Sequence, residues 1–133
     1  MKLSHVIIYV EDVKQTLAFY QAAFGLETKM AFEEDGHCDY GELDTGGAAL
    51  GFATIELGKT NLPAGFKPLS REGLPIGQEV VFEDEDVAAA YEKAVSAGAE
   101  GLVKPMEKPW GQTVAYVRAL EGTLIELCSP MPG

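Results

Sequence analysis

Three residues of types that hold metals or move protons interrupt otherwise apolar, strand-like stretches. They are His5 in Leu3–Val10, Glu79 at the head of Glu79–Asp84, and Glu126 within Thr123–Cys128. A carboxylate placed unpaired in such surroundings costs on the order of several kcal/mol or holds its proton to higher pH. A divalent cation shared with His5 satisfies all three groups. One imidazole and two carboxylates make a hard, mostly oxygen donor set, suited to Mn, Ni, Zn, Fe or Mg, with positions left open for water or substrate. Taken singly, His5 also reads as a strand histidine bonded to backbone, and Glu126 as an outward residue of an edge strand.

A repeat ties the three together. Leu3–Val10 reads as a buried strand, and Asp12 stands as an N-cap with Gln15 three residues on. Val13, Leu17, Tyr20 and Phe24 then form one face of an amphipathic helix that Gly25 ends. Three shorter strands follow, from Leu26, His37 and Ala48, with turn signals at Asp35-Gly36 and Gly46-Gly47. The same grammar returns after Gly77: Glu79–Asp84 as strand, Asp86 as N-cap, and Val87, Tyr91, Ala94 and Gly98 as the helical face. Each of these four positions lies 74 residues beyond its counterpart (13 to 87, 17 to 91, 20 to 94, 24 to 98). Strands near Gly101–Lys104, Gln112–Ala119 and Thr123–Cys128 complete the second copy.

The prediction is an α+β fold of two β-α-β-β-β modules, one over about 1–54 and one over about 78–130, their sheets curving around a central cleft. Residues 55–77, rich in Gly, Pro, Lys and Ser, read as a long connecting loop that covers something. At the repeat offset His5 answers to Glu79. Gly47–Phe52 aligns with Gly122–Leu127 at an offset of 75, so Glu126 answers to Gly51. The symmetric set is thus three possible ligands and one gap. Glu56 lies just past the closing strand, outside the repeat register.

Composition bounds the function classes. The chain has 133 residues, enough for one domain with a substantial core. Ten Lys and Arg against 21 Asp and Glu leave a formal charge of −11, which disfavours nucleic acid and anionic membrane surfaces as partners. No apolar run is long enough to span a bilayer, and the first residues lack a signal-peptide pattern. Two cysteines, Cys38 and Cys128, are too few for a disulfide scaffold, so the expectation is a cytoplasmic protein.

The stretches His5–Val13, Phe19-Tyr20 with Phe24-Gly25-Leu26, Pro109–Gln112 and Gly122–Leu127 resemble the vicinal oxygen chelate superfamily. That group includes glyoxalase I, bleomycin-resistance proteins, fosfomycin-resistance enzymes, methylmalonyl-CoA epimerase and extradiol dioxygenases. The resemblance spans nearly the whole chain. It implies metal ligands at the positions of His5, Glu79, Gly51 and Glu126. His5 and Glu126 match, Glu79 stands where many members carry His or Gln, and Gly51 stands where glyoxalase I carries a glutamate. The usual Asp-Pro-Asp-Gly turn is altered to Ala119-Leu120-Glu121-Gly122. Glu126 and Glu79 are then the base candidates for a metal-dependent lyase or isomerase acting on a small oxygenated molecule. Dioxygenase chemistry is disfavoured, because Glu79 replaces a histidine. The alternative is a metal-free protein of the bleomycin-resistance kind that sequesters an aromatic or cationic ligand, with Glu79 and Glu126 as counterions. Homodimers are usual for members of this size, and a homodimer is expected.

Other residues carry both a binding and a plain reading. Trp110, between Pro109 and Gly111, stacks on a ligand at the cleft mouth or packs the rim. Arg118 binds an anionic substrate or is a surface charge. Cys128, on the same strand face as Glu126, lines the cleft or is a buried structural thiol. Phe52 is expected to face away from Gly51's side into the core. His37 is expected as an exposed hairpin histidine, and the runs Glu33–Asp35 and Glu83–Asp86 as solvated edges without calcium-loop spacing.

Overall fold

The computed structural model describes all 133 residues. It contains eight strands and three helices: β1 (His5–Val10), α1 (Val13–Phe24), β2 (Thr28–Glu34), β3 (His37–Leu43), β4 (Ala49–Thr54), α2 (Ile55–Asn61), β5 (Glu79–Glu83), α3 (Val87–Ser96), β6 (Glu100–Glu107), β7 (Thr113–Arg118) and β8 (Leu124–Cys128). They form two four-stranded mixed sheets, ordered β1-β4-β3-β2 and β5-β8-β7-β6. Each opens with a parallel pair, His5 beside Ala49 in the first and Glu79 beside Leu124 in the second. The predicted α+β fold of two repeated β-α-β-β-β arrangements is the observed one.

The chain divides into two compact units. Unit 1 comprises Met1–Gln21 and Gly25–Leu69; unit 2 comprises Ala22–Phe24 and Ser70–Gly133. In unit 1, Asp12 caps α1 by accepting from the Gln15 amide, and Gly25 ends it in the left-handed region. Alternation along the strands sends Ile8, Val10, Leu50, Phe52 and Leu43 to one face of the sheet, where they are buried. The α1 side chains Val13 and Leu17 come down on Gly41, where a Cβ would stand 2.6 Å from a Leu17 methyl. Tyr20 and Phe52 pack ring to ring at 4.8 Å, which is the core position expected for Phe52.

In unit 2, Asp86 caps α3, and Val87, Tyr91 and Ala94 are buried, as the periodicity predicts. Ile125, Leu127, Ala115 and Val117 fill the same core. Phe24, at the end of α1, meets Phe82 of β5 at 5.0 Å.

The segment expected as loop from 55 to 77 opens instead with α2. Thr54 supplies the N-cap by accepting from the Leu57 amide, and Gly58 is buried where a Cβ would collide with the rings of Tyr9 and Phe66. The helix owes its existence to that tertiary contact more than to its own composition, which holds a glycine at its centre. Tyr9 and Phe66 stack at 4.7 Å, so the residues after the helix are also tied to unit 1.

Candidate functional site

Polar side chains gather on the sheet face opposite the helix in each unit. In unit 2, Glu126 on β8 lies beside Val81 on β5 and opposite Tyr116 on β7. The Tyr116 hydroxyl donates to Glu126 Oε1 at 3.0 Å. The Glu79 carboxyl group lies close enough to Glu126 to feel its charge and its hydrogen-bonding oxygens. Like charges brought together disfavour ionisation, so the neighbourhood of Glu126 favours the protonated form of Glu79. Lost hydration, then the hydrogen-bonding oxygens of Glu126, then its charge, raise Glu79 above the ordinary 4.5. Tyr116 is pushed up to about 12, first by burial and then by Glu126, and remains a donor at neutral pH. The Cys128 thiol is also pushed up, by burial and by the charges of Glu126 and Glu83, so it is not a reactive thiolate.

The raised Glu79 has a stability consequence of definite sign. The folded chain keeps this proton to higher pH than the unfolded chain does. Stability therefore falls as pH rises from 4.5 through the folded value. Glu79→Gln is expected to flatten this part of the pH profile and to raise the melting temperature slightly at neutral pH. Urea titrations between about pH 4 and pH 8 check both. A profile as steep as that of the parent would contradict the raised Glu79 pKa.

In unit 1, His5 begins β1 and Glu42 sits on β3 directly opposite Gly51 of β4. His5 Nε2 is 3.2 Å from Glu42 Oε2, with the carboxylate largely covered (13% exposed) and the imidazole open (44%). The Tyr40 hydroxyl donates to the same Oε2 at 2.7 Å. Burial, then the bond and charge of Glu42, hold Tyr40 far above the usual phenol range. Ser4 Oγ is 2.6 Å from His5 Nδ1. The gap at Gly51 is filled: a Cβ there would stand 2.5 Å from the Tyr40 hydroxyl oxygen.

Thus His5 is brought to Glu42 in unit 1, and Glu79 to Glu126 in unit 2. Within neither unit do three His, Cys, Asp or Glu side chains form a set that could hold a metal ion. The donor types, imidazole nitrogen and carboxylate oxygen, suit a hard or borderline divalent cation, but each unit offers two of them.

Trp110 occupies the turn between β6 and β7, just before the strand it was expected to enter. It is 56% exposed, and its indole N–H donates to Gln112 Oε1 at 2.8 Å, which fixes the ring's orientation. Cys128 is buried on the Glu126 face of β8. Arg118 is the clear correction. Expected as a surface charge or an anion contact, it is 3% exposed. Its guanidinium donates to the carbonyls of Gly122 (3.2 Å), Gly73 (2.6 Å) and Ser70 (2.5 Å). Its donors are spent on the chain itself.

Sequence reasoning missed Tyr40 and Glu42. The available signal was the Tyr40-x-Glu42 spacing, which puts both on one strand face, but their position opposite Gly51 depends on the β3–β4 register. A separate cleft of about 620 Å³ in unit 1, whose lining includes Glu11, His37, Asp39, Glu56 and Lys59, contains none of these clustered residues.

With fold and clusters described, the comparison with known proteins becomes specific. The family model "Glyoxalase/Bleomycin resistance protein/Dioxygenase superfamily" matches residues 2–127. The chain belongs to this superfamily. A glyoxalase/bleomycin resistance protein/dioxygenase family enzyme from Burkholderia phytofirmans PsJN is 24% identical with a TM-score of 0.81, covering 97% of this chain and 98% of its own. A glyoxalase-related enzyme from Fulvimarina pelagi shows 19% identity and a TM-score of 0.77, over 98% of this chain and 88% of its own. TioX from Micromonospora sp. ML1 gives 22%, 0.72, 97% and 98% for the same quantities. At these identities the superfamily likeness is one of fold. No curated protein matches the chain. No helix is long and apolar enough to cross a membrane.

Proposed function

We propose that this member of the superfamily binds a small organic cation, with the Glu79–Glu126 pair as its counter-charge. The observation that carries this reading is the neighbouring Glu79 and Glu126 carboxyl groups, the second of which accepts from the Tyr116 hydroxyl. A ligand ammonium or amidinium group placed between them favours the ionised form of both carboxylates, with Tyr116 still donating to one of them. The formal charge of −11 draws cations toward the chain. Trp110, an exposed and oriented ring, is the aromatic contact this reading assigns to the body of the ligand.

Binding to such a pair strengthens as pH rises, because Glu79 gives up its raised-pKa proton when the cation enters. Calorimetry with a panel of aromatic amines and amidines, in two buffers of different ionisation enthalpy, is expected to show proton release on binding. Glu126→Gln is expected to weaken binding by about tenfold or more, as one charged partner is lost. Binding without proton release, or affinity unchanged in Glu126→Gln, would count against the proposal.

A second reading rests on the same pair. A carboxyl group whose pKa is raised, beside a second carboxyl group, is an arrangement from which a general acid and base can be made. A lyase or isomerase using Glu126 as base would exchange solvent deuterium into a small carbonyl substrate. That exchange, lost in Glu126→Gln, favours the enzyme; tight binding of unchanged ligand favours the binder.

A further inference from the structure

Four strands lie at sheet edges: β1 and β2 in unit 1, β5 and β6 in unit 2. The outer N–H and C=O groups of an edge strand have no strand beside them and form a template for another. Among the four, β2 alone is exposed at every residue. Its Met30 (40%) and Phe32 (54%) are large apolar side chains left open to water.

We propose that β2 is the docking edge for a second copy of this chain. The two β2 strands pair antiparallel across a two-fold axis at Ala31 and join two four-stranded sheets into one.

The sequence of β2 is self-complementary about that point. A ladder centred on Ala31 sets Lys29 opposite Glu33 and Met30 opposite Phe32, and the symmetry repeats each pair. Opposite charges and apolar side chains facing each other across a ladder both stabilise it. Met30 and Phe32 are two positions apart, so they share one sheet face and meet those of the second copy as a single apolar cluster. The ladder from β2 to β3 is regular over Met30–Phe32 and shifts register on either side. The paired core is therefore this short apolar run, with a charge pair closing each end. Lys29 has no ion-pair partner in its own chain, whereas Glu33 holds Lys14. In the pair each Glu33 carboxylate lies between two ammonium groups.

The other edges fail the same test. Antiparallel self-pairing of β5 about Val81 sets Glu79 against Glu83, and like charges directly opposite destabilise a ladder. β6 carries Pro105, which has no N–H to donate. β1 is buried at Ile8 and Val10. A contact one strand long is small, so the dimer belongs to the weak class, and the formal charge of −11 on each chain opposes it at low salt. The docking edge does not depend on the organic-cation reading, whose residues lie in unit 2.

Sedimentation velocity of the full chain in about 0.15 M salt, from about 1 μM to about 500 μM, is expected to show a monomer–dimer equilibrium. Lys29→Glu and Glu33→Lys are each expected to weaken the dimer by about tenfold or more, because all the flanking positions then carry one sign. An equimolar mixture of the two variants is expected to restore it, since one strand then offers only carboxylates and the other only ammonium groups at the facing positions. Rescue by mixing reads this register directly, and a variant that had merely misfolded would not be rescued. Met106→Ser, on the edge strand β6, is expected to dimerise as the parent does. Three results would overturn the proposal: a parent chain that stays monomeric over the whole range, parent-like dimerisation by both single variants, or a mixture no more associated than its components.

Discussion

Arg118→Ala is expected to lower the unfolding free energy by about 3 kcal/mol or more, the largest loss from any single polar side chain. Its guanidinium makes three hydrogen bonds to backbone carbonyls, two of them in the segment that precedes β5. A hydrogen bond to a charged group contributes about 1.5–3 kcal/mol, and carbonyls left without donors add to the loss. Part is recovered when the Ser70 and Gly73 carbonyls turn to water. Ser70–Gly73 should then detach from the end of β7, and Arg71, now bonded to the Gly98 carbonyl, becomes open to trypsin. Urea unfolding and the rate of tryptic cleavage at Arg71 measure the two effects. Arg118→Lys is expected to recover only a fraction, because an ammonium cannot span three carbonyls in a fixed plane. A stability within about 1 kcal/mol of the parent, with the segment still protected, would contradict the anchoring role.

Gly122→Ala is expected to be comparably severe for a different reason. Gly122 turns the chain between β7 and β8 at a φ of +108°, in the region that L side chains rarely adopt. A Cβ there would also stand 2.6 Å from the Ser70 carbonyl carbon and closer still to its oxygen. Backbone cannot swing aside as the end of a side chain can. Strain of about 1–3 kcal/mol and a similar cost of overpacking together predict a loss of about 3 kcal/mol or more. Because Gly122 also offers its carbonyl to Arg118, the double variant is expected to lose less than the sum of the singles. Full additivity in a double-mutant cycle would show that the two residues act separately.

These two positions also mark where reading the sequence succeeds and where it stops. The altered turn Ala119–Gly122 was legible as a turn, since a glycine before an apolar run is local chemistry. That Gly122 must stay a glycine because Ser70 lies against it was not legible, since the contact joins residues 52 positions apart (122 − 70). Arg118 shows the same limit. A charged residue in a strand reads as exposed, and only the return of Ser70–Gly73 across it supplies the acceptors that let it be buried.

The repeated β-α-β-β-β order, both long helices with their caps and the glycine turns could be read from the sequence by itself. Each depends on patterns a few residues long, repeated at a fixed offset: apolar spacing, Asp12 and Asp86 as caps, Asp35-Gly36 as a turn. Glu79 and Glu126 could be singled out as strand carboxylates in the same way, but their neighbourhood follows from the parallel ladder, which sets Glu79 beside Leu124 and Glu126 beside Val81. Tertiary structure alone decided that α2 forms on the rings of Tyr9 and Phe66, and that Arg118 is buried. It alone decided that the acid serving unit 1 is Glu42. That last choice depends on cross-strand register, which is set by how the loop between β3 and β4 closes, and a shift of one residue would turn Glu42 to the other face of the sheet.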